Sequence, residues 1–214
     1  MTPTTKEELI LELEKRPVSP VLLEIKEKTI QDYNEFFKIT LQKEFKIYMI
    51  HYREEMDILQ GKKTEDWLKG CTQDYGTKIF LYDYNYYYKE TGKNFHAKEL
   101  LKHEIAHVYV AEIRNRGFVP RWLNEGLAYY LANQQISNGP IKEIVNCIDS
   151  HETFIVEHYK SSGKLVILLI NKYGKEKIIN LLKSSTNPNE FFSAFKKVYG
   201  FELTKENLIE NLKD

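Results

Sequence analysis

The chain has 214 residues, and its 31 basic and 31 acidic side chains give a formal net charge of zero at pH 7. A chain of this length can bury a hydrophobic core without disulfide bonds, and we expect one compact domain or two lobes that share a cleft. Because zero net charge creates no overall field toward anionic polymers or surfaces, we expect neither nucleic acid nor a membrane as a partner.

The first part of the chain is predicted to contain two helices, followed by two strands with a short helical turn between them. Proline residues interrupt the first apolar pattern, and the later segments are rich in β-branched and aromatic residues. The predicted ranges are 5–15 and 21–43 for the helices, 46–52 and 77–84 for the strands, and 53–59 for the turn. Five tyrosines between 82 and 88 are predicted to form a hairpin that packs on its own scaffold, without a functional role.

The next predicted helix, over 96–114, carries the sequence His103-Glu104-Ile105-Ala106-His107. Helical residues four apart lie about 40° from each other around the axis, so both imidazoles can face one metal ion. Glu104 lies beside them, close enough to contact a metal-bound water without binding the metal. Most of the helix circumference is apolar, which turns these ionisable groups inward, where coordination would offset the cost of burial. The alternative is a helix with two ordinary histidines.

A second helix, predicted over 120–135, carries Glu125 among small and apolar residues. Gly117 is predicted to end the preceding helix, and Pro120 to begin this one. A carboxylate in such surroundings is a candidate third ligand. Two histidines and one glutamate with an open fourth position are typical of catalytic rather than structural zinc sites. The alternative for Glu125 is a buried salt bridge.

The spacing of the motif, with Glu125 following His107 after seventeen residues in the string Trp-Leu-Asn-Glu-Gly-Leu-Ala, resembles that of the gluzincin metallopeptidases. That clan includes thermolysin and aminopeptidase N, and the closest likeness is to its small peptidase-MA-like domains. The resemblance implies a zincin-like fold and one Zn²⁺ per chain, bound by His103, His107 and Glu125. It also implies peptide-bond hydrolysis through a zinc-bound water activated by Glu104. The Gly-Ala-Met-Glu-Asn segment with which the aminopeptidases hold a substrate amino terminus does not occur, which favours an endopeptidase-like activity.

The same resemblance directs attention to two further segments. Gluzincins stabilise the oxyanion with a tyrosine or histidine further along the chain, and Tyr159 is our candidate, with His158 as the alternative. An ordinary core tyrosine is a competing interpretation. Gluzincin-like folds also bind the extended substrate backbone along an edge strand. Residues 77–81, the last predicted strand before the zinc helix, are the candidate, and the alternative is a strand paired on both sides.

The chain after residue 120 is predicted to be helical throughout, which gives an α+β, zincin-like fold with a small, mostly antiparallel sheet over the active-site helix. The predicted helices are 120–135, about 141–149, 153–171, 174–184, 188–198 and 204–213. The predicted organisation is N-terminal helices over 1–44 and a metallopeptidase domain over 45–214, with the sheet and zinc helix at 45–117 and a helical lobe at 118–214.

Two further features of the sequence concern its compartment and its cysteines. No apolar signal-peptide stretch begins the chain, and the longest aliphatic run, 165–170, is too short to span a bilayer, so we expect a cytoplasmic protein. Cys71 and Cys147 lack metal or redox spacing and are predicted to be buried or half-buried thiols.

A different functional class also fits the motifs. The chain could use a zincin fold to bind a peptide or protein as a regulator, without hydrolysis. Such a module has no need of a general base, so the presence of Glu104 beside the two histidines favours the peptidase.

Overall fold

The computed structural model describes residues 5–115, 117–149, 155–184 and 187–213. Residues 1–4 and 214, and the predicted start of a helix at 153–154, lie outside the described residues. The chain divides into two compact units, Met1–Val108 and Tyr109–Asp214. The division falls within the helix that carries the two histidines, Ala97–Arg114.

The first unit contains helices and all three described strands. In chain order they are α1 (Lys6–Leu13), α2 (Pro20–Phe37), β1 (Lys46–Ile50), α3 (Arg53–Gln60), β2 (Gly70–Gln73), a 3₁₀ turn (Asp74–Gly76), β3 (Lys78–Tyr82), α4 (Tyr84–Thr91) and the start of α5 (Ala97–Arg114). The second helix ends six residues before its predicted end, because Lys38 adopts a left-handed conformation with φ of 54°.

The three strands form a mixed sheet in the order β1-β3-β2. The outer strand β1 runs parallel to β3, while β2 runs antiparallel to it. The prediction of a mostly antiparallel sheet was therefore wrong. The physical reason lies in the connections: a helix-containing crossover from β1 leaves room for a parallel strand, whereas the short 3₁₀ turn between β2 and β3 reverses the chain.

The strand order also corrects the prediction of a substrate-binding edge at 77–81. That segment forms the central strand β3, which is paired on both sides, so it has no open edge. Among the described strands, β1 and β2 are the two edges of the sheet, one on each side of β3. Sequence reasoning missed β2 because its four residues, Gly-Cys-Thr-Gln, show neither alternation nor β-branched enrichment.

The tyrosine-rich segment forms helix α4 rather than the predicted hairpin. The Asp83 carboxylate starts the helix by accepting hydrogen bonds from the backbone N–H groups of Asn85 and Tyr86. One tyrosine, Tyr87, is buried and packs edge-on against Tyr82, with ring centroids 5.5 Å apart. Capping and the burial of Tyr87 outweigh the β preference of tyrosine.

The second unit is helical in its described residues, as predicted. It contains the end of α5, then α6 (Arg121–Leu131), α7 (Ile141–Ile144) with a 3₁₀ turn (Val145–Asp149), α8 (Val156–Tyr173), α9 (Lys175–Lys183), α10 (Pro188–Tyr199) and α11 (Lys205–Leu212). The α+β class and the helical C-terminal half are confirmed. In the described part of the chain, no helix combines the length and apolar character needed to cross a membrane.

Helices α6 and α8 pack closely because both carry glycine at their contact. A Cβ atom on Gly126 would lie 2.5 Å from the backbone oxygen of Ser162, and one on Gly163 would lie 2.9 Å from the Cβ of Tyr129. These glycines allow the two backbones to approach, and they fix the helix of Glu125 against the helix of Tyr159.

Candidate metal centre

The two histidines of α5 point their rings at each other. Their Nε2 atoms are 3.1 Å apart, and their ring centroids are 4.7 Å apart. His103 is 8% exposed and His107 is half-buried. The helix is fixed in this orientation by fully buried apolar residues such as Leu101 and Ile105. The predicted helix is confirmed, and so is the placement of both imidazoles on one of its faces.

The spacing of the two nitrogens fits a metal ion. Two nitrogen ligands at about 2.0–2.1 Å from a tetrahedral zinc are about 3.3 Å apart, close to the 3.1 Å between the two Nε2 atoms. The chemistry of the donors fits as well, since imidazole nitrogen and carboxylate oxygen are common zinc ligands, and two histidines with one glutamate leave a position open.

Glu125 lies on α6, where it is half-buried. Burial, together with the negative charge of Glu125, raises the pKa of Tyr129 to about 12. The ligand atoms of His103, His107 and Glu125 all lie within 4.8 Å of one another, so these residues could hold a metal ion. Glu104 is not a member of this group.

Glu104 is 4% exposed and is held by the edge strand β2. The hydroxyl of Thr72 lies 2.7 Å from Glu104 Oε2 and 3.0 Å from the Glu104 backbone oxygen. Burial, followed by the nearby charge of Glu104, raises the pKa of Cys71 to about 12. The Cys71 thiol therefore stays protonated and neutral near pH 7.

Tyr159 lies in the first part of α8, with its side chain 8% exposed. Its hydroxyl oxygen accepts a hydrogen bond of 2.7 Å from Nη2 of Arg121, the first residue of α6. The alternative candidate, His158, accepts a hydrogen bond of 3.3 Å from the backbone N–H of Ile155 through its Nδ1 atom. Because Ile155 is the N-cap residue of α8, the His158 ring caps the start of that helix.

Three residues around these side chains were missed by sequence reasoning: Thr72, Gly70 and Arg121. A signal was available for Arg121, which precedes Glu125 by four residues and therefore shares its helix face. No local signal marks Thr72, which lies 32 residues before Glu104 on a strand that the sequence does not reveal. Both cysteines are free thiols, Cys71 half-buried and Cys147 buried, as predicted.

Comparisons with known proteins add no family assignment. No protein-family model matches the chain, and a search of curated proteins finds no matching relative.

Proposed function

We propose that the protein is a zinc-dependent metallopeptidase that hydrolyses peptide bonds within a chain, in an endopeptidase-like manner. The observation that carries the proposal is the arrangement on α5. Two imidazole Nε2 atoms converge to 3.1 Å, and a buried carboxylate on the adjacent residue, Glu104, is left out of the group that could bind the metal. A histidine pair that served only to fill a core would not need that carboxylate.

In the proposed site, His103, His107 and Glu125 would hold one zinc ion. When bound, zinc would supply a Lewis acid that lowers the pKa of a water to about 7. The Glu125 carboxylate would add a negative charge to the set of ligands, which attracts a cation. The burial of His103 limits the water molecules that compete with the metal for its imidazole nitrogen.

Glu104 acts as the proton carrier in this proposal. Its carboxylate accepts a proton from the water that attacks the peptide carbonyl, and then delivers the proton to the departing amine nitrogen. The hydrogen bond from Thr72 to Oε2 holds the carboxylate in one orientation. A buried carboxylate exchanges few hydrogen bonds with bulk water, so its proton transfers are confined to the substrate and the attacking water.

Tyr159 is proposed to stabilise the negative charge that develops on the carbonyl oxygen. A phenol can accept one hydrogen bond and donate another, so the bond that Arg121 donates is compatible with donation from Tyr159 to an oxyanion. The guanidinium carbon lies 5.6 Å from the Tyr159 ring, and its positive charge strengthens the phenol as a donor.

We expect Tyr159→Phe to lower kcat by about 10²- to 10³-fold with little change in KM, because loss of one oxyanion donor has that effect in other hydrolases. The control is Tyr173→Phe on the same helix, where the lost hydroxyl donates a 3.5 Å hydrogen bond to the backbone oxygen of Asn211. Equal activity in the two variants would assign Tyr159 to the core rather than to the reaction.

Cleavage of a peptide library by zinc-loaded protein tests the proposed function. We expect cuts at internal peptide bonds, loss of all cuts after chelation, and recovery when zinc is restored. Mass spectrometry of the products identifies each scissile bond. Binding of library peptides without any cleavage would contradict the peptidase and support a non-hydrolytic binding domain. Release of single N-terminal residues alone would contradict the endopeptidase-like assignment.

A further inference from the structure

We propose that the edge strand β2 positions the catalytic base, with Thr72 as a positioning residue and Gly70 as the space that receives the Glu104 carboxylate. This inference rests on the proposed function, because it concerns the residue that would move the proton. It adds two residues to the site that lie outside the His-Glu-x-x-His segment and on a different secondary-structure element.

The contact with Thr72 fixes one oxygen of the carboxylate. The Thr72 hydroxyl is 2.7 Å from Glu104 Oε2 and 3.0 Å from the Glu104 backbone oxygen. A hydroxyl has a single proton to donate. The charged carboxylate is the stronger acceptor and the nearer one, so the proton goes to Oε2.

Gly70 accommodates the other oxygen. A Cβ atom at Gly70 would lie 3.2 Å from Glu104 Oε1, 3.0 Å from Leu81 Cδ2 and 3.2 Å from Leu100 Cδ1. All three distances are shorter than an ordinary van der Waals contact, so any side chain at this position would press on the carboxylate. The absence of a side chain at Gly70 therefore helps to determine where Oε1 lies.

Successive side chains of a strand point to opposite faces of the sheet, which explains why Gly70 and Thr72 act together. Gly70 and Thr72 are two apart, so they lie on the same face of β2. The residues between and after them face the other way: Cys71 Sγ lies 3.9 Å from Met56 Sδ, and the Gln73 amide donates to the Leu59 backbone oxygen. One face of β2 thus packs on α3, while the other receives Glu104 of α5.

Without the hydroxyl, the Glu104 side chain has no described donor to hold Oε2, and its carboxylate can adopt other rotamers. Displacement of a catalytic group by about 1 Å costs about 10²-fold in rate. We expect Thr72→Val, which keeps the shape and removes the hydroxyl, to lower kcat by about 10- to 100-fold. KM and zinc content should stay at wild-type values, because Thr72 is not a ligand in the proposed site.

Two further substitutions make the test specific. Thr72→Ser restores the hydroxyl and should recover most of the lost kcat. Gly70→Ala keeps the hydroxyl but places a methyl group against Oε1, and should lower kcat with zinc retained. The matched control is Thr77→Val, which removes an exposed hydroxyl bonded to a backbone oxygen and should leave kcat unchanged. Wild-type kcat in both Thr72→Val and Gly70→Ala would overturn the proposal.

A measurement that needs no turnover separates this inference from the proposed function. Urea unfolding of zinc-loaded wild type, Thr72→Val, Glu104→Ala and the double variant forms a double-mutant cycle. We expect the shifts in midpoint to be non-additive, because Glu104→Ala already removes the acceptor of the Thr72 bond. Additive shifts would overturn the proposed contact. Non-additive shifts in a protein that cleaves no peptide would instead reject the peptidase and keep the contact.

Discussion

Replacement of Glu104 by glutamine is expected to abolish nearly all peptide cleavage while leaving zinc bound. The amide has nearly the size of the carboxylate and its oxygen can still accept the Thr72 hydrogen bond, so the fold should be unchanged. It cannot take up the proton, and loss of a general base lowers kcat by about 10²- to 10⁴-fold. Steady-state kinetics, with zinc measured on the same sample by mass spectrometry, gives both quantities.

The matched control for this substitution is Glu99→Gln, five residues earlier on α5. Glu99 is half-buried and lies 3.9 Å from the exposed imidazole of His96, so its neutralisation should change neither kcat nor zinc content. A zinc-loaded Glu104→Gln protein with the activity of this control would refute the assignment of Glu104 as the base. Such a result would leave the metal-binding proposal intact.

Replacement of His107 by alanine is expected to remove zinc and, with it, activity. Only two of the three proposed ligands remain in this variant. Loss of a hydrogen-bond partner behind a zinc ligand lowers metal affinity by about 10- to 100-fold, and loss of the ligand itself should lower it further. Competition with a chromophoric zinc chelator measures the affinity, and we expect about one zinc per chain in the wild type.

His96→Ala is the control for the histidine substitution. The His96 side chain is exposed, and the residue immediately precedes α5. Its zinc affinity should equal that of the wild type. Since a ligand that binds only the folded state raises the unfolding midpoint, zinc should stabilise the wild type and His96→Ala against heat, but not His107→Ala. Wild-type zinc affinity in His107→Ala would contradict the proposed coordination.

The helical part of the architecture could be predicted because helix periodicity is a local property. The segment 96–114 has apolar residues at helical spacing, and the structure places α5 at Ala97–Arg114. Residues at i and i+4 share a face of any regular helix, so the convergence of His103 and His107 follows from the segment being helical.

The sheet could not be predicted to the same extent, because its pairing is long-range. Strand β2 has four residues without a strand pattern, and its identity depends on pairing with β3. Because β2 was not predicted, Thr72, the donor that holds Glu104, was not predicted either. Local propensity also misassigned the tyrosine-rich segment, where the cap at Asp83 produced helix α4.

The same distinction between local and long-range contacts applies to the side chains of the candidate site. Glu104 and its two neighbouring histidines lie in one motif and were identified from the sequence. Thr72 and Arg121 act on residues 32 and 38 positions away, respectively. Contacts between residues so far apart in the chain arise from tertiary packing. No local sequence pattern in a single chain indicates them.

Diffraction from zinc-loaded crystals on either side of the zinc absorption edge tests the central claim most directly. We predict one anomalous peak per chain, about 2.0–2.2 Å from three atoms: His103 Nε2, His107 Nε2 and a carboxylate oxygen of Glu125. Glu104 should lie outside ligand distance of that peak. A zinc-soaked crystal with no peak between the two imidazoles, or with Glu125 turned away from the metal, would contradict the account.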